Sequence, residues 1–574
     1  MQSETKIHSQ SSVSATCQNC KKDFTIEPDD FLFYEKIKVP VPTFCPHCRF
    51  VRRLIWRNER SLYKRKCDIC EKDIIAMYDD KAVFPVYCPD CYKSDNWGAE
   101  TYARDYDFNK PFFVQWKELF DIVPRVSLYT HGENKNCEFT NIVSGVKDVY
   151  LAFSVILNSE YVYYSSNIDS SKQIIDSYNV TNSELLYENM GANKNYSCQY
   201  SYWSSSCINC NFILDCNNCQ DCFGCVNLNN KRYCILNEQY TKEQYEEKMK
   251  ELDMGSHSFV QDFKKEFWNF SIKFPRKYAK IINSINSSGD ELRNTKNTTK
   301  SFNVIDAENV KYGYRSVGNK DIMDTSHSLR GSMVYEHTLG ATDGYNVKFI
   351  ANGNINLRDS EYSDFSYSSS NLFACISLKN KQYCILNKQY EKEEYFDMVE
   401  KIKKHMDDMP YIDSKGRVYK YGEFFPYELC PFGYNEAVIN DHFPLTKEEI
   451  IERGYKYKEK VDNRYTITLK AKDIPDNIKD IDDSILNEVI ECEKSGRAYK
   501  ITPFELQFYR RMNIPITHLH PDERYKERLT LRNPMILYHR SCMKEGCTNE
   551  FETSYAPERP EIIYCEKCYQ GEVY

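Results

Sequence analysis

Four CxxC pairs, Cys17/Cys20, Cys45/Cys48, Cys67/Cys70 and Cys88/Cys91, stand in succession at the start of the chain. Modules that small cannot bury a self-sufficient core. Paired CxxC motifs make good the deficit by forming tetrahedral four-thiolate zinc sites, whose metal binding supplies folding free energy on the order of 10 kcal/mol. The spacing assigns Cys17, Cys20, Cys45 and Cys48 to one ion, and Cys67, Cys70, Cys88 and Cys91 to a second. The chain of 574 residues carries a net charge of -8 and has no apolar run long enough to cross a bilayer. Its opening, MQSETKIHSQSSVSAT, has no apolar h-region and reads as a disordered tail over 1–16. A reducing, cytoplasmic compartment follows, where the 25 cysteines serve as thiolate ligands or small core residues sooner than as disulfides.

The far end repeats the arrangement. Shifted by 475 positions, Cys17 falls on Cys492, Tyr34 on Tyr509, Arg57-Asn58 on Arg532-Asn533 and Cys67 on Cys542 without a gap, as an internal duplication would produce. Cys542, Cys547, Cys565 and Cys568 complete a third zinc site. In the remaining module Cys20 has become Ser495, Cys45 has become His520 and Cys48 has become Glu523, leaving Cys492, His520 and Glu523 as a degenerate set of ligands. Three structural ions are therefore expected, and a fourth only if that set holds metal, structurally or as an open catalytic site.

From Arg49 to Lys66 the first module carries eight Lys/Arg against the single acid Glu59. A helix opening at Cys45 in treble-clef fashion puts Arg49, Arg53 and Arg57 on one face, with Phe50 and Leu54 beside them. Two readings fit: a phosphate-binding face, with Arg49, Arg52, Arg53, Arg57, Arg60 and Lys64 on nucleic acid, or structural arginines bonded within the fold. The later copy keeps Arg524, Arg528, Arg532 and Arg540 but interposes Glu523 and Glu527.

Between the zinc ends lies a second repeat, shifted by about 150: CFGCVNLNNKRYCILN from Cys222 returns as LFACISLKNKQYCILN from Leu372. Short apolar triplets recur every ten to thirteen residues with Asn, Ser, Asp and Gly between them, which suggests stacked coils of a β-solenoid, with a β-sandwich as the rival. The run Cys207 to Cys225 packs six cysteines into nineteen positions, yet its counterparts are Leu357, Ser360, Ser366, Ser369, Leu372 and Cys375. Positions that exchange cysteine for leucine and serine read as interior positions of a tight coil, with a metal cluster confined to the first copy, or disulfides, as the rival readings. Capping boxes at Thr241/Gln244 and Thr446/Glu449, with Gly454 as a stop, and a helix starting at Asn109, mark helical segments that cover coil edges. SINSSGDELRNTKNTTKS, 284–301, reads as a linker. Asn435, Glu436, Asp441 and His442 read as a surface loop.

The fold class expected is thus multidomain and mainly β, with tandem zinc-ribbon or treble-clef modules at both ends flanking two duplicated β-solenoid-like copies, each capped by helices. The order along the chain is tail 1–16, ribbons 17–95, connecting helix 96–130, first solenoid copy 131–240, helix and linker 241–296, second copy 297–390, helix and connecting region 391–470, degenerate ribbon 471–541 and last ribbon 542–574.

CPHCRFVRRLIWRNERSLYKRKC, CFGCVNLNNKRYCILN and CTNEFETSYAPERPEIIYCEKCY together resemble a family of zinc-ribbon proteins with a cysteine-rich repetitive middle, found in large DNA viruses, phages and small-genome bacteria. The resemblance implies zinc-ribbon ends but no reaction, and Cys492, Ser495, His520 and Glu523 depart from its CxxC pattern. Three functional readings stand. The first is a non-enzymatic zinc protein that engages nucleic acid or a nucleoprotein through its basic N-terminal ribbon, with the solenoid as spacer. The second is an assembly protein, within a virion or other particle, whose ribbons dock protein partners. The third is a carbohydrate-active enzyme using Asp176 and Glu188, which recur as Asp324 and Glu336.

Overall fold

The structure is a computed structural model that describes residues 11–340, 342–353, 355–459 and 465–573. The fold is mainly β, with a β-solenoid and three four-cysteine clusters. The chain forms two compact units, one from residues up to 128 with 279–459, the other from 129–278 with 460–574. Chain order is therefore crossed: the N-terminal ribbons belong with the later solenoid copy, and the C-terminal ribbons with the earlier one.

The coil is built from triplets. Through the solenoid of the second unit, positive φ recurs at nearly every third residue, for example Ser197 (52°), Tyr200 (54°), Trp203 (47°), Ser206 (55°) and Asn209 (52°). Each such corner costs a non-glycine residue about 1–2 kcal/mol, so the path persists only because backbone bonds to the coils above and below over-determine it. Neighbouring coils pair in parallel, Lys147 opposite Lys135, Glu184 opposite Lys172 and Arg232 opposite Gln220, each partner a single twelve-residue coil away. Stacked at about 4.8 Å per coil, they build a ten-stranded sheet in this unit and a nine-stranded one in the other.

The residue after each corner points into the lumen. With three residues to a side, the lumen admits small or slender groups only. Ile174, Val180, Leu186, Cys198, Cys210 and Cys222 fill it, all fully buried. Two inward columns are polar, because backbone N–H groups facing the lumen need acceptors: Ser165 Oγ accepts from Ser177 N (3.0 Å), Asn189 Oδ1 from Ser201 N (2.6 Å) and Asn195 Oδ1 from Cys207 N (2.9 Å). Cys207, Cys210, Cys216, Cys219, Cys222 and Cys225 are spread over all four inward columns and are 0–1% exposed, each thiol donating to carbonyls in its own and the next coil, as Cys216 does to Leu214 and Cys225 (both 3.5 Å). They are interior filling, as are Leu357, Ser360, Ser366, Ser369, Leu372 and Cys375 in the other unit.

Outside the coil, aromatic columns are covered by helices. Phe263 of His257–Ser271 lies 4.8 Å from Phe212 and 4.6 Å from Phe223. In the first unit Phe112 of Phe112–Phe120 lies 5.0 Å from Tyr362 and 5.6 Å from Phe373. After the last coils come the helices Lys242–Lys250, capped by the Thr241/Gln244 box, and Lys392–Asp408. The Thr446/Glu449 box caps Lys447–Glu452, and Gly454 follows at φ 75°.

Several expectations are corrected. The tail over 1–16 falls partly on 1–10, which lie outside the described residues, while Val13–Thr16 pairs with Asp23–Ile26 as a hairpin. The segment 284–301 is not a linker: Gly289–Arg293 and Lys296–Thr299 are solenoid strands, so the second copy begins before 297. Its Asn and Ser residues are corners and inward acceptors, a composition that a linker shares. Pro111, not Asn109, caps Phe112–Phe120.

Candidate metal centres

Each ribbon brings its first cysteine pair on the knuckle of a hairpin and its second to a helix start. In the first, the knuckle joins Val13–Thr16 to Asp23–Ile26, and Cys45 caps the helix Pro46–Ile55. Cys88 does the same for Pro89–Lys93, and Cys565 immediately precedes Glu566–Val573.

The four Sγ atoms of Cys17/Cys20/Cys45/Cys48, of Cys67/Cys70/Cys88/Cys91 and of Cys542/Cys547/Cys565/Cys568 all lie within 4.8 Å of one another. Cys20–Cys45 is 3.8 Å, Cys70–Cys88 3.9 Å and Cys547–Cys565 4.0 Å. Sulfurs at about 2.3 Å from one tetrahedral ion stand about 3.8 Å apart, whereas a disulfide needs about 2.05 Å. The clusters therefore fit metal, and four thiolates in a tetrahedron suit zinc. When bound, such an ion supplies no chemistry beyond holding four chain positions together, because no ligand position is left open.

Backbone donors prepare the thiolates. Cys45 N reaches Cys17 Sγ (3.3 Å), Cys88 N reaches Cys67 Sγ (3.2 Å) and Cys565 N reaches Cys542 Sγ (3.3 Å). Burial opposes ionisation of Cys67, but the N–H groups of Cys70, Cys88 and Ile69 bring it down to about 7. Cys565 falls to about 7 against the same burial, through the N–H of Cys568 and the Asn549 side chain. Their partners Cys91 and Cys568 are pushed up to about 12, first by hydrogen bonding to Cys88 and to Cys547 respectively. Taking the last proton from each cluster falls to the metal's charge.

Among the described residues, Cys492, His520 and Glu523 form no fourth cluster. The ribbon shape survives there, since His520 N still donates to Cys492 Sγ (3.2 Å). The would-be ligands are otherwise engaged: His520 Nδ1 accepts from Asp522 N (3.1 Å) as the cap of Pro521–Thr530, and Glu523 binds Lys526 (2.6 Å). His518 is stacked on His257 at 3.6 Å.

The nucleic-acid reading of the basic stretch meets its main correction here. Arg49, Arg52, Arg53 and Arg57 are 0–1% exposed. Arg49 Nε and Arg53 NH1 hold the two oxygens of Asp324, each at 2.8 Å. Arg52 spans Glu336 and Glu423, both at 2.7 Å, and Arg57 is paired with Glu59. Arg49, Arg52 and Arg53 are spent on the solenoid flank and Arg57 within the ribbon, and none of the four can meet a phosphate as folded. Lys64 is exposed and Arg60 half-buried.

The second unit repeats the device. Arg524 and Arg528 hold Asp176 at 2.5 and 2.8 Å, and Arg524 also reaches Glu505 (3.3 Å) and lies 4.3 Å over the Tyr164 ring. Asp176 and Asp324 both sit at positive-φ corners, 51° and 55°. The recurring carboxylates are thus anchors, not a sugar-cleaving pair: Glu188 binds Lys264 (2.8 Å), Glu336 binds Arg52, and none of the buried ones opens to a substrate.

Of the 435–442 loop, Glu436 accepts from Tyr63 and Gly433 N, and His442 meets Tyr314 (3.1 Å). Sequence reasoning missed Glu423, which also accepts from Thr43 N (2.8 Å); no local signal marks it. No protein-family model matches the chain, and no curated protein matches it in sequence.

Proposed function

We propose that the protein is a non-enzymatic structural scaffold: two solenoid blocks locked by zinc ribbons, which serve an assembly by presenting rigid surfaces to protein partners. The observation that carries this reading is the inward use of the ribbon-helix arginines. A ribbon that spends three guanidiniums on its own solenoid is a clamp, and zinc sets the clamp's shape. The same Arg–Arg–Asp arrangement in both units supports an origin by duplication, and the free, buried thiols suit a reducing compartment.

The test is purification of the chain, measurement of its 260/280 nm absorbance ratio, and limited proteolysis with and without a strong chelator. A scaffold of this kind comes free of nucleic acid, and chelation opens the ribbons to protease first, followed by the solenoid flanks they cover. Nucleic acid that co-purifies, and that Arg60→Glu/Lys64→Glu releases without loss of fold, would sink the reading.

A further inference from the structure

In the first unit the solenoid is closed at one end and open at the other. Its last coil folds back at Lys388–Gln389, which pairs antiparallel with Cys384 and Ile385, and the helix Lys392–Asp408 packs on it, Tyr395 lying 5.8 Å from Tyr383. The first coil has no such cover. Its strand Ile281–Ile282 is the terminal strand of its sheet, and Ile282 and Ile285 are 55% and 64% exposed.

The bonding rule of the coil says what this end lacks. A corner N–H donates to the coil before it, as Asn294 N does to Ile282 O and Asn297 N to Ile285 O (both 3.0 Å), and an inward C=O accepts from that same coil, as Thr295 O does from Ile285 N (2.9 Å) and Thr298 O from Ser288 N (2.8 Å). The corresponding groups of the first coil are the N–H of Asn283 and Asn286, at corners of 48° and 49°, and the C=O of Ser284 and Ser287. Among the described residues none of these four main-chain groups makes a hydrogen bond. Such a row is a template for another strand unless charge blocks it. The second unit's first coil carries that block in Glu133, Lys135 and Glu138, all exposed. The stretch IINSINSSG, Ile281 to Gly289, carries no charge at all.

The coil's shape selects the occupant. Its path turns a corner every third residue, so a straight strand leaves the row after one side, and only another coil of the same triplet geometry can follow it. Because the far end is capped, two copies can meet here only head to head, about a two-fold axis across the coil, and the contact closes at two. We propose that the first coil of this solenoid, Ile281 to Ser288, is a dimerisation edge that pairs antiparallel with the same edge of a second copy of the chain, covering Ile282 and Ile285. A coil end about 20 Å across offers roughly 400 Å² per partner, which places the dimer in the weak class. The contact goes beyond the scaffold reading and needs only the first unit folded.

The experiment is sedimentation velocity of the full, metal-loaded chain over a concentration series, with amide hydrogen exchange at its two extremes. A monomer–dimer equilibrium is expected, with protection over 281–288 rising as the dimer forms. Ile282→Lys/Ile285→Lys, two exposed positions whose change sets like charges across the contact, should weaken the dimer at least tenfold, while Ile285→Thr keeps it and Leu157→Lys, an exposed position of the second unit, leaves it unchanged. A chain that stays monomeric up to about 100 μM, a dimer indifferent to the double lysine variant, protection that rises elsewhere but not over 281–288, or an open-ended series of oligomers would overturn the proposal.

Discussion

Asp324→Asn tests the clamp most sharply, because it removes one charge and almost no volume. Asp324 and its partners Arg49 and Arg53 have side chains 0–2% exposed. The substitution leaves two guanidiniums facing an amide that can accept from one and must point its NH₂ at the other. Breaking a buried pair in this way costs about 3–5 kcal/mol. The opening equilibrium of the ribbon helix should therefore rise by roughly a hundredfold to several thousandfold. Global unfolding of two units is not two-state, so the readout is amide hydrogen exchange, resolved over Pro46–Ile55 and Lys320–Thr325. Exchange there should accelerate while Pro521–Thr530 is unchanged; Asp176→Asn should do the reverse. The apolar replacement Arg49→Met/Arg53→Leu/Asp324→Leu should recover most of the loss, since well-packed apolar groups can substitute for a buried ionic triad. An Asp324→Asn effect below about 1 kcal/mol, or one spread equally over both units, would refute the argument.

Other expectations follow from the same geometry. Cys48→Ser should remove one metal ion per chain and expose the first ribbon to protease, measured by elemental analysis and digestion; Cys219→Ser should leave the metal count unchanged. Ile213→Ala, which empties a fully buried lumen position, should cost about 2–5 kcal/mol in denaturant unfolding of the second unit, with no effect on metal content. Burial and the neighbouring His518 push His257 down to about 4 from an ordinary 6.5. Its depressed pKa means the unfolded chain binds the proton more readily, so stability is fully present above pH 6.5 and is lost as pH falls toward 4. His257→Gln should flatten that part of the pH profile, read by exchange over His257–Ser271.

The metal sites were legible because CxxC pairs state their chemistry locally, and the lumen because Leu357 and Ser360 replace Cys207 and Cys210 in the repeat. The triplet corner was also written in the sequence: Asn209, Asp215, Asn218, Asp221 and Gly224 each stand immediately before a cysteine, as residues that tolerate positive φ should. Reading that rule would have placed 284–301 in the coil. What local pattern could not supply was the partner of each charge. Arg49 and Asp324 are 275 positions apart, and neither shows in its own neighbourhood that the other is its counter-ion. A run of arginines looks alike whether it faces phosphate or a buried carboxylate, and the packing that decides between them is wholly non-local.

The direct test of the account is the number of metal ions per chain in protein purified under reducing conditions, determined by elemental analysis against amino-acid quantification. Three zinc ions are expected, each lost separately when a cysteine of its own cluster is replaced. More than three, with the excess removed by substituting Cys207 to Cys225, or none in a chain whose ribbons remain protected from exchange, would contradict it.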